Sequence, residues 1–351
     1  MSGRNHHHEE SEVANEKQTL VKELMATWKK ITIAGVTLAA IVGLSVGLGV
    51  GLTKHKGGNN SSNDGSSNST NVELRNVSGR AAKWTPKVGD SWQIVLQNTV
   101  RNDVDFTPDV SVWDFDVFEN DKETIDKLHG RGKKVICYFS AGTWEKGRTD
   151  ADEFPKEDLG GTLPEWTDER WARISSSKIR DIMKSRIALA ASKGCDAIDP
   201  DNVDGFQNEE NNLGLTAQDS IDYVTFLHDE ADKYNMSVGL KNAADIIDDV
   251  MHVVDFSVNE QCAANQTNPE CEAFHKFIDA GKPVFHIEYP PDDGAQTYPD
   301  DLRKEICARN GAGKGSDNFS TVFKRMSLDG WVQFCDGEIH DTALASSASN
   351  S

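Results

Sequence analysis

No CxxC pair occurs among the six cysteines, no GxGxxG follows the first candidate strand, and cations are scarce, with 37 Lys and Arg against 57 Asp and Glu. The first absence removes the usual spacings of zinc and thiol-redox sites. The second removes the fingerprint of a dinucleotide-binding open sheet. The third leaves a net charge of -20, which argues against nucleic acid and other polyanions as partners and suits a cationic one. Charge is also missing locally, because Ile31 to Leu52 contains none. At about 1.5 Å per helical residue this run reaches roughly 33 Å, enough for a bilayer core near 30 Å. It reads as a transmembrane helix rather than a signal peptide, being longer than an h-region, preceded by a polar stretch and without a small-residue cleavage site.

Lys29 and Lys30 before this run balance Lys54 and Lys56 after it, so the positive-inside rule does not orient it. The Asn-X-Ser/Thr acceptors at Asn59, Asn60, Asn68, Asn76, Asn235, Asn265 and Asn318 all follow it, as do all the cysteines. The expected organisation is therefore a cytoplasmic tail (1–30), a transmembrane helix (31–52) and a flexible Ser/Asn/Gly-rich stalk (53–79). A folded domain (80–345) outside the cell and a short tail (346–351) complete it. The His6, His7, His8 triplet lies in the polar tail and reads as solvated rather than metal-binding. Proximity favours Cys262 with Cys271 and Cys307 with Cys335, leaving Cys137 and Cys195 either paired or buried as free thiols.

From Trp84 onward short apolar runs alternate with amphipathic stretches, the pattern of βα units on a parallel sheet. Strands are expected at Trp92–Leu96, Val110–Asp116, Val135–Ser140, Cys195–Asp199, Ser237–Leu240, Phe256–Asn259 and Pro283–Glu288. A last strand is expected at Ser320–Lys324 or at Trp331–Phe334. Asn120 with Glu123 resembles a capping box, and Thr216 with Asp219 suggests another N-cap. Ile179, Ile182, Met183, Ile187 and Ala190 repeat at helical spacing before Gly194. About eight such units fit the roughly 250 residues of a TIM (β/α)8 barrel, with an open doubly wound sheet as the alternative.

Nearly every expected strand ends in polar residues, at the edge where barrels build active sites. Asp114 and Asp116 end the second strand, Tyr138 and Ser140 the third, and Asp199 and Asp201 the fourth. Lys241 and Asn242, Asn259 and Glu260, and Glu288 and Tyr289 end the others. A ring of acids in one mouth points to carboxylate chemistry, and glycoside hydrolysis needs two such groups, one protonated and one ionised. The densest segment, DAIDPDNVDGF from Asp196, fails as a calcium loop because Val203 stands at the fifth position and glycine arrives one residue late. It also fails as a chitinase-type DxxDxDxE strand, since Val203 replaces the acid. It reads as a strand end presenting Asp199 or Asp201 to a sugar, with Asp204 and Gly205 shaping the turn and Asp196 structural. Glu145 and Arg148 are expected to pair with each other and serve structure.

The segments WQIVLQ at Trp92, VWDFD at Val112, VICYFSAGTWE at Val135, CDAIDPDNVDGF at Cys195, VGLKN at Val238, VNEQC at Val258 and FHIEY at Phe285 follow one another across most of the domain. In these the chain resembles glycoside hydrolase family 114, the endo-α-1,4-polygalactosaminidases. The resemblance implies a barrel enzyme acting on galactosaminogalactan, a polymer that is cationic where deacetylated. It implies a catalytic pair of the fourth-strand aspartate, here Asp199 or Asp201, and the VNEQC glutamate, here Glu260. Asp114, Asp116 and Glu288 are expected to bind ammonium groups, Tyr138 and Tyr289 to offer ring faces, and Lys241, Asn202 and Asn242 to bind or orient. No metal or organic cofactor is implied, and the enzyme is expected as a monomer held at the cell membrane by its one helix. The alternatives are a non-catalytic cell-surface glycan-binding barrel and a hydrolase of another glycan.

Overall fold

A computed structural model of the chain describes residues 83–164, 166–263, 270–291 and 297–345. The expected cytoplasmic tail, transmembrane run, stalk and C-terminal tail lie outside them. Among the described residues no helix is long and apolar enough to cross a membrane.

In chain order the elements are β1 (Trp92–Val95), β2 (Val112–Asp116), α1 (Lys122–Gly130), β3 (Lys134–Ser140), β4 (Thr143–Glu145), β5 (Leu159–Thr162) and β6 (Glu169–Ala172). Then follow α2 (Ser177–Lys193), β7 (Ala197–Asp201), α3 (Ala217–Asp232), β8 (Ser237–Lys241), α4 (Ile247–Val250), β9 (Phe256–Glu260) and α5 (Cys271–Asp279). The last are β10 (Val284–Glu288), α6 (Asp300–Cys307), β11 (Ser320–Phe323), β12 (Trp331–Phe334) and β13 (Ile339–Asp341).

Ten strands form one sheet in the order β1-β2-β3-β7-β8-β9-β10-β11-β12-β13. The first eight are parallel throughout, and β12 and β13 return antiparallel. Both candidates for the last strand therefore exist, and β11 is the eighth parallel one. The sheet curls until its ends meet: the Trp92 indole N–H donates to the Ser320 carbonyl (2.7 Å), and Lys324 Nζ donates to Gln93 Oε1 (3.0 Å). The result is an α/β barrel-like fold. It departs from eight regular units, since among the described residues no helix separates β1 from β2 and none follows β11.

Period-2 alternation in the strands creates two cores. Trp92, Ile94, Val112, Ile136, Ala197, Phe256, Val258, Phe285 and Ile287 fill the space inside the curled sheet. Trp113, Phe115, Cys137 and Phe139 face outward and meet the helices, including Ile179, Ile182, Met183 and Ile187 of α2. Each such side chain contributes about 1.5–3 kcal/mol by leaving water. Gly194 ends α2 at φ 97°, where a side chain would be strained, and Thr216 and Asp219 form the capping box of α3. Asn120 does not cap α1: Asp121 does, its carboxylate accepting from the Thr124 N–H, while Asn120 is buried and accepts from the Val100 N–H.

All six cysteines are paired: Cys137 with Cys195, Cys262 with Cys271, and Cys307 with Cys335. The first pair joins the outer face of β3 to the segment leading into the neighbouring β7. Between β3 and α2 the chain inserts a three-stranded antiparallel sheet in the order β4-β6-β5, which sequence periodicity did not foresee. Its strands are only three or four residues long, too short for a period to show.

Candidate active site

Asp201, Lys241 and Glu260 are the last residues of β7, β8 and β9, three consecutive strands of the sheet. Neighbouring strands lie about 4.8 Å apart, so side chains of the same facing and depth come together there. The chain turns away immediately after each: Asn202, Asn242 and Gln261 take φ of 62°, 47° and 59°. Asn tolerates this left-handed region better than most residues, which accounts for two of the three.

The three side chains form one network at the floor of a cavity of about 470 Å³. Lys241 Nζ lies 3.0 Å from Asp201 Oδ2 and 3.4 Å from Glu260 Oε2. Asp201 Oδ2 also accepts from the Tyr138 hydroxyl (3.0 Å), and Oδ1 accepts from the Asn202 N–H (2.6 Å). Glu260 accepts from the Tyr289 hydroxyl and from Asn242 Nδ2 (3.1 Å). Burial alone would lower the Lys241 ammonium, but Asp201, Glu260 and Asp199 outweigh it and hold it well above the usual lysine range. Burial, and then the facing carboxylates, push both tyrosines well above the usual phenol range, so they remain protonated donors.

The structure separates the two fourth-strand aspartates. Asp201 lines the cavity; Asp199, two residues deeper on the same face, is fully buried, and among the described residues none forms a hydrogen bond with its carboxylate. Burial pushes Asp199 up to about 7, and Asp114 on β2, equally buried and unpartnered, well above the carboxylate range, with Asp199 adding to it. Asp114 thus lies beneath the cavity rather than in it. Glu288 is not brought there either: it is fully buried, and its Oε1 meets His286 Nε2 (2.8 Å) and the Ala263 N–H (2.9 Å). Asp116 does line the cavity, but Arg148 grips both its oxygens (3.1 and 2.6 Å), which leaves it poorly placed to hold a second cation. Arg148 also binds Glu145 (2.6 Å), so the expected pair is present and extends to Asp116. Asp196 bonds His129, Lys134 and the Val135 N–H near the start of β7, a structural placement. Tyr138, Asn202, Lys241, Asn242 and Tyr289 all line the cavity.

Among the cavity residues that had no such role in the sequence reading are Glu169, Trp166 and Asp204. Glu169 and Trp166 come from the inserted sheet and the loop before it, and Asp204 was assigned to the turn. Burial pushes Glu169 up to about 7 and Asp204 up to about 6. Among the described residues one grouping has metal-ligand chemistry, Cys262, Cys271 and His286, but its two sulfurs are bonded to each other and only the imidazole is left to offer.

Residues 73–340 match the model of glycoside-hydrolase family GH114. The crystal structure of Aspergillus fumigatus Ega3 in complex with galactosamine is 46% identical, with a TM-score of 0.67, covering 73% of this chain and 99% of that one. The glycoside hydrolase domain of PelA from Pseudomonas aeruginosa, 15% identical with a TM-score of 0.52, covers 68% of this chain and 95% of that one and bears on the fold alone. No curated protein sequence matches the chain.

Proposed function

This chain belongs to glycoside hydrolase family GH114, and from that premise we propose that it is an endo-acting enzyme that cuts α-1,4-linked galactosamine, with Asp201 and Glu260 as its reacting carboxylates. The observation that carries the assignment is the shared ammonium of Lys241, which holds these two carboxylates, alone among the strand-end acids, against each other at the cavity floor. Asp201, which has the closer contact to Lys241, is the group that attacks the anomeric carbon. Glu260 gives its proton to the leaving glycosidic oxygen and later takes one from water. Two oxygens that share one ammonium at 3.0 and 3.4 Å cannot lie farther apart than those distances combined. That bound concerns the nearest oxygens alone; retention follows instead from attack by Asp201, since hydrolysis of a covalent glycosyl-enzyme restores the α configuration.

The substrate reading is supported by the galactosamine bound to the 46% identical Ega3 and by the acidity of the cleft. The domain is read as standing outside the cell, anchored by the charge-free run at 31–52 through the stalk at 53–79; the three disulfides support an oxidising compartment. The test is to incubate the full chain with partially deacetylated galactosaminogalactan and follow products by mass spectrometry and NMR. The expected outcome is galactosamine oligomers whose first-formed ends are α, and none from a folded Glu260→Gln variant. Near-normal release by that variant removes Glu260 from the mechanism, β products remove retention, and no release by the parent chain removes this substrate.

A further inference from the structure

The chain leaves Glu260 through a strained turn. Gln261 stands at φ 59°, a left-handed conformation that costs energy for any residue with its side chain, so the turn keeps its shape only if the segment beyond it is held from outside. Three ties hold it. The Gln261 N–H donates to the Ile287 carbonyl (2.8 Å), Cys262 is bonded to Cys271, and the Ala263 N–H donates to Glu288 Oε1 (2.9 Å).

The third tie is made by a side chain that faces away from the cavity. Phe285, Ile287 and Tyr289 belong to the core inside the curled sheet, so His286 and Glu288 alternate onto the outer side, where both are fully buried. There the His286 ring meets Phe319 edge to face, with centroids 5.7 Å apart. Its Nε2 lies 2.8 Å from Glu288 Oε1 and 3.3 Å from Cys262 Sγ, and its Nδ1 lies 3.0 Å from Oγ1 of Thr321, its register partner on β11. A continuous run, Thr321 to His286 to Glu288 to the Ala263 N–H, therefore crosses from β11 through β10 to the segment just after Glu260. Stability is a poor reason for such a run. Glu288 Oε2 is buried and no described residue meets it, and well-packed apolar side chains commonly stabilise a core as well as a buried acid and imidazole do. What the polar run adds is direction, because each hydrogen bond fixes the next group in one place.

We propose that Glu288, oriented by His286, is a positioning residue for Glu260: by holding Ala263 it fixes the turn that aims the Glu260 carboxyl at the leaving glycosidic oxygen. This rests on the reading above in which Glu260 is the acid. Tyr289, the next residue, donates to the Glu260 carboxylate itself, so the end of β10 sets both that carboxylate and the backbone that follows it.

The test measures kcat/KM of the full chain on two substrates that differ in their leaving group. One is an α-1,4-galactosamine oligomer, whose leaving sugar needs a proton; the other is a dinitrophenyl α-glycoside of the same sugar, whose leaving phenolate needs none. Glu288→Ala is expected to lower the oligomer value about thirtyfold and the dinitrophenyl value by no more than about twofold. Glu288→Gln, whose amide oxygen can still accept from the Ala263 N–H, is expected to return the oligomer to within about threefold of the parent. Thr321→Val, which keeps the size and removes the hydroxyl beside the imidazole, is expected to cost the oligomer about threefold and the dinitrophenyl glycoside nothing; it decides the matter if Glu288→Ala does not fold. A merely loosened fold lowers both substrates alike, so equal loss on both, or loss on neither, overturns the proposal. Glu260→Gln is run alongside: if it loses both substrates equally, the acid assignment falls and takes the proposal with it. If the parent chain cuts neither substrate, the galactosamine reading falls, and crystals of Glu288→Ala decide the positioning: a Glu260 carboxyl displaced by about 1 Å supports it, and one left in place overturns it.

Discussion

Asp199 illustrates how depth changes the meaning of a residue. It shares a strand and a facing with Asp201, yet one is held by three donors at the cavity and the other is sealed beneath it with none. In the unfolded chain Asp199 ionises near about 3.9; in the folded protein burial moves this to about 7. The native state holds this proton more tightly, so the stabilisation is full below the unfolded value and is lost as pH rises toward 7. Asp114 acts in the same direction. Asp199→Asn keeps the shape and cannot ionise. Its stability relative to the parent is expected to improve between about pH 4 and about pH 8, by on the order of a few kcal/mol, and to be read as a melting temperature that rises relative to the parent's across that range. Parallel melting curves for the two proteins across that range would show that Asp199 does not ionise with this penalty.

At the scale of elements, the ends of the strands are set by close backbone contacts as much as by hydrogen bonds. The N–H groups of Ala141 and Gly142, just past β3, both donate to the Asp201 carbonyl (2.9 and 3.0 Å). A Cβ on Gly142 would fall 1.7 Å from the Asn202 carbonyl oxygen, so no side chain fits unless the end of β7 moves. Gly142→Ala is therefore expected to lower kcat about a hundredfold by displacing Asp201, since small misplacements of a reacting group carry penalties of that order. Steady-state kinetics on a variant shown to be folded by circular dichroism checks this. A kcat equal to the parent's would mean that the strand end gives way without moving the carboxylate.

For the whole molecule, the seven Asn-X-Ser/Thr acceptors and all the cysteines on one side of the charge-free run are what the proposed anchor rests on, in which the two ends of the chain face different compartments. On the anchored reading, the full chain is expected to stay in the membrane pellet through an alkaline carbonate wash, and its domain to be cut by protease added to intact cells. Release by carbonate, or full protection from the protease, would overturn the anchor or its orientation. The three disulfides belong to the same scale. Cys137 to Cys195 ties β3 to the segment leading into β7, and Cys262 to Cys271 fastens the segment just after Glu260 to α5.

The order of the strands, the caps of α2 and α3, two of the three disulfides and the polar strand ends were legible in sequence, because each depends on a local period or a short spacing. The family followed from the same strand-end segments. What the sequence left open was depth, occupancy and insertion. Asp199 and Asp201 alternate onto the same face, but the roughly 6.6 Å that separates them along a strand decides which one meets the cavity, and no local pattern encodes where its floor lies. Asp116 and Glu288 stand at strand ends as expected, yet Arg148 from a loop and His286 from β10 had already taken their carboxylates. Lys241 becomes the centre of the site only because β8 lies between β7 and β9. Glu169 reaches it from strands too short to carry a period, placed there by packing that only the folded chain provides.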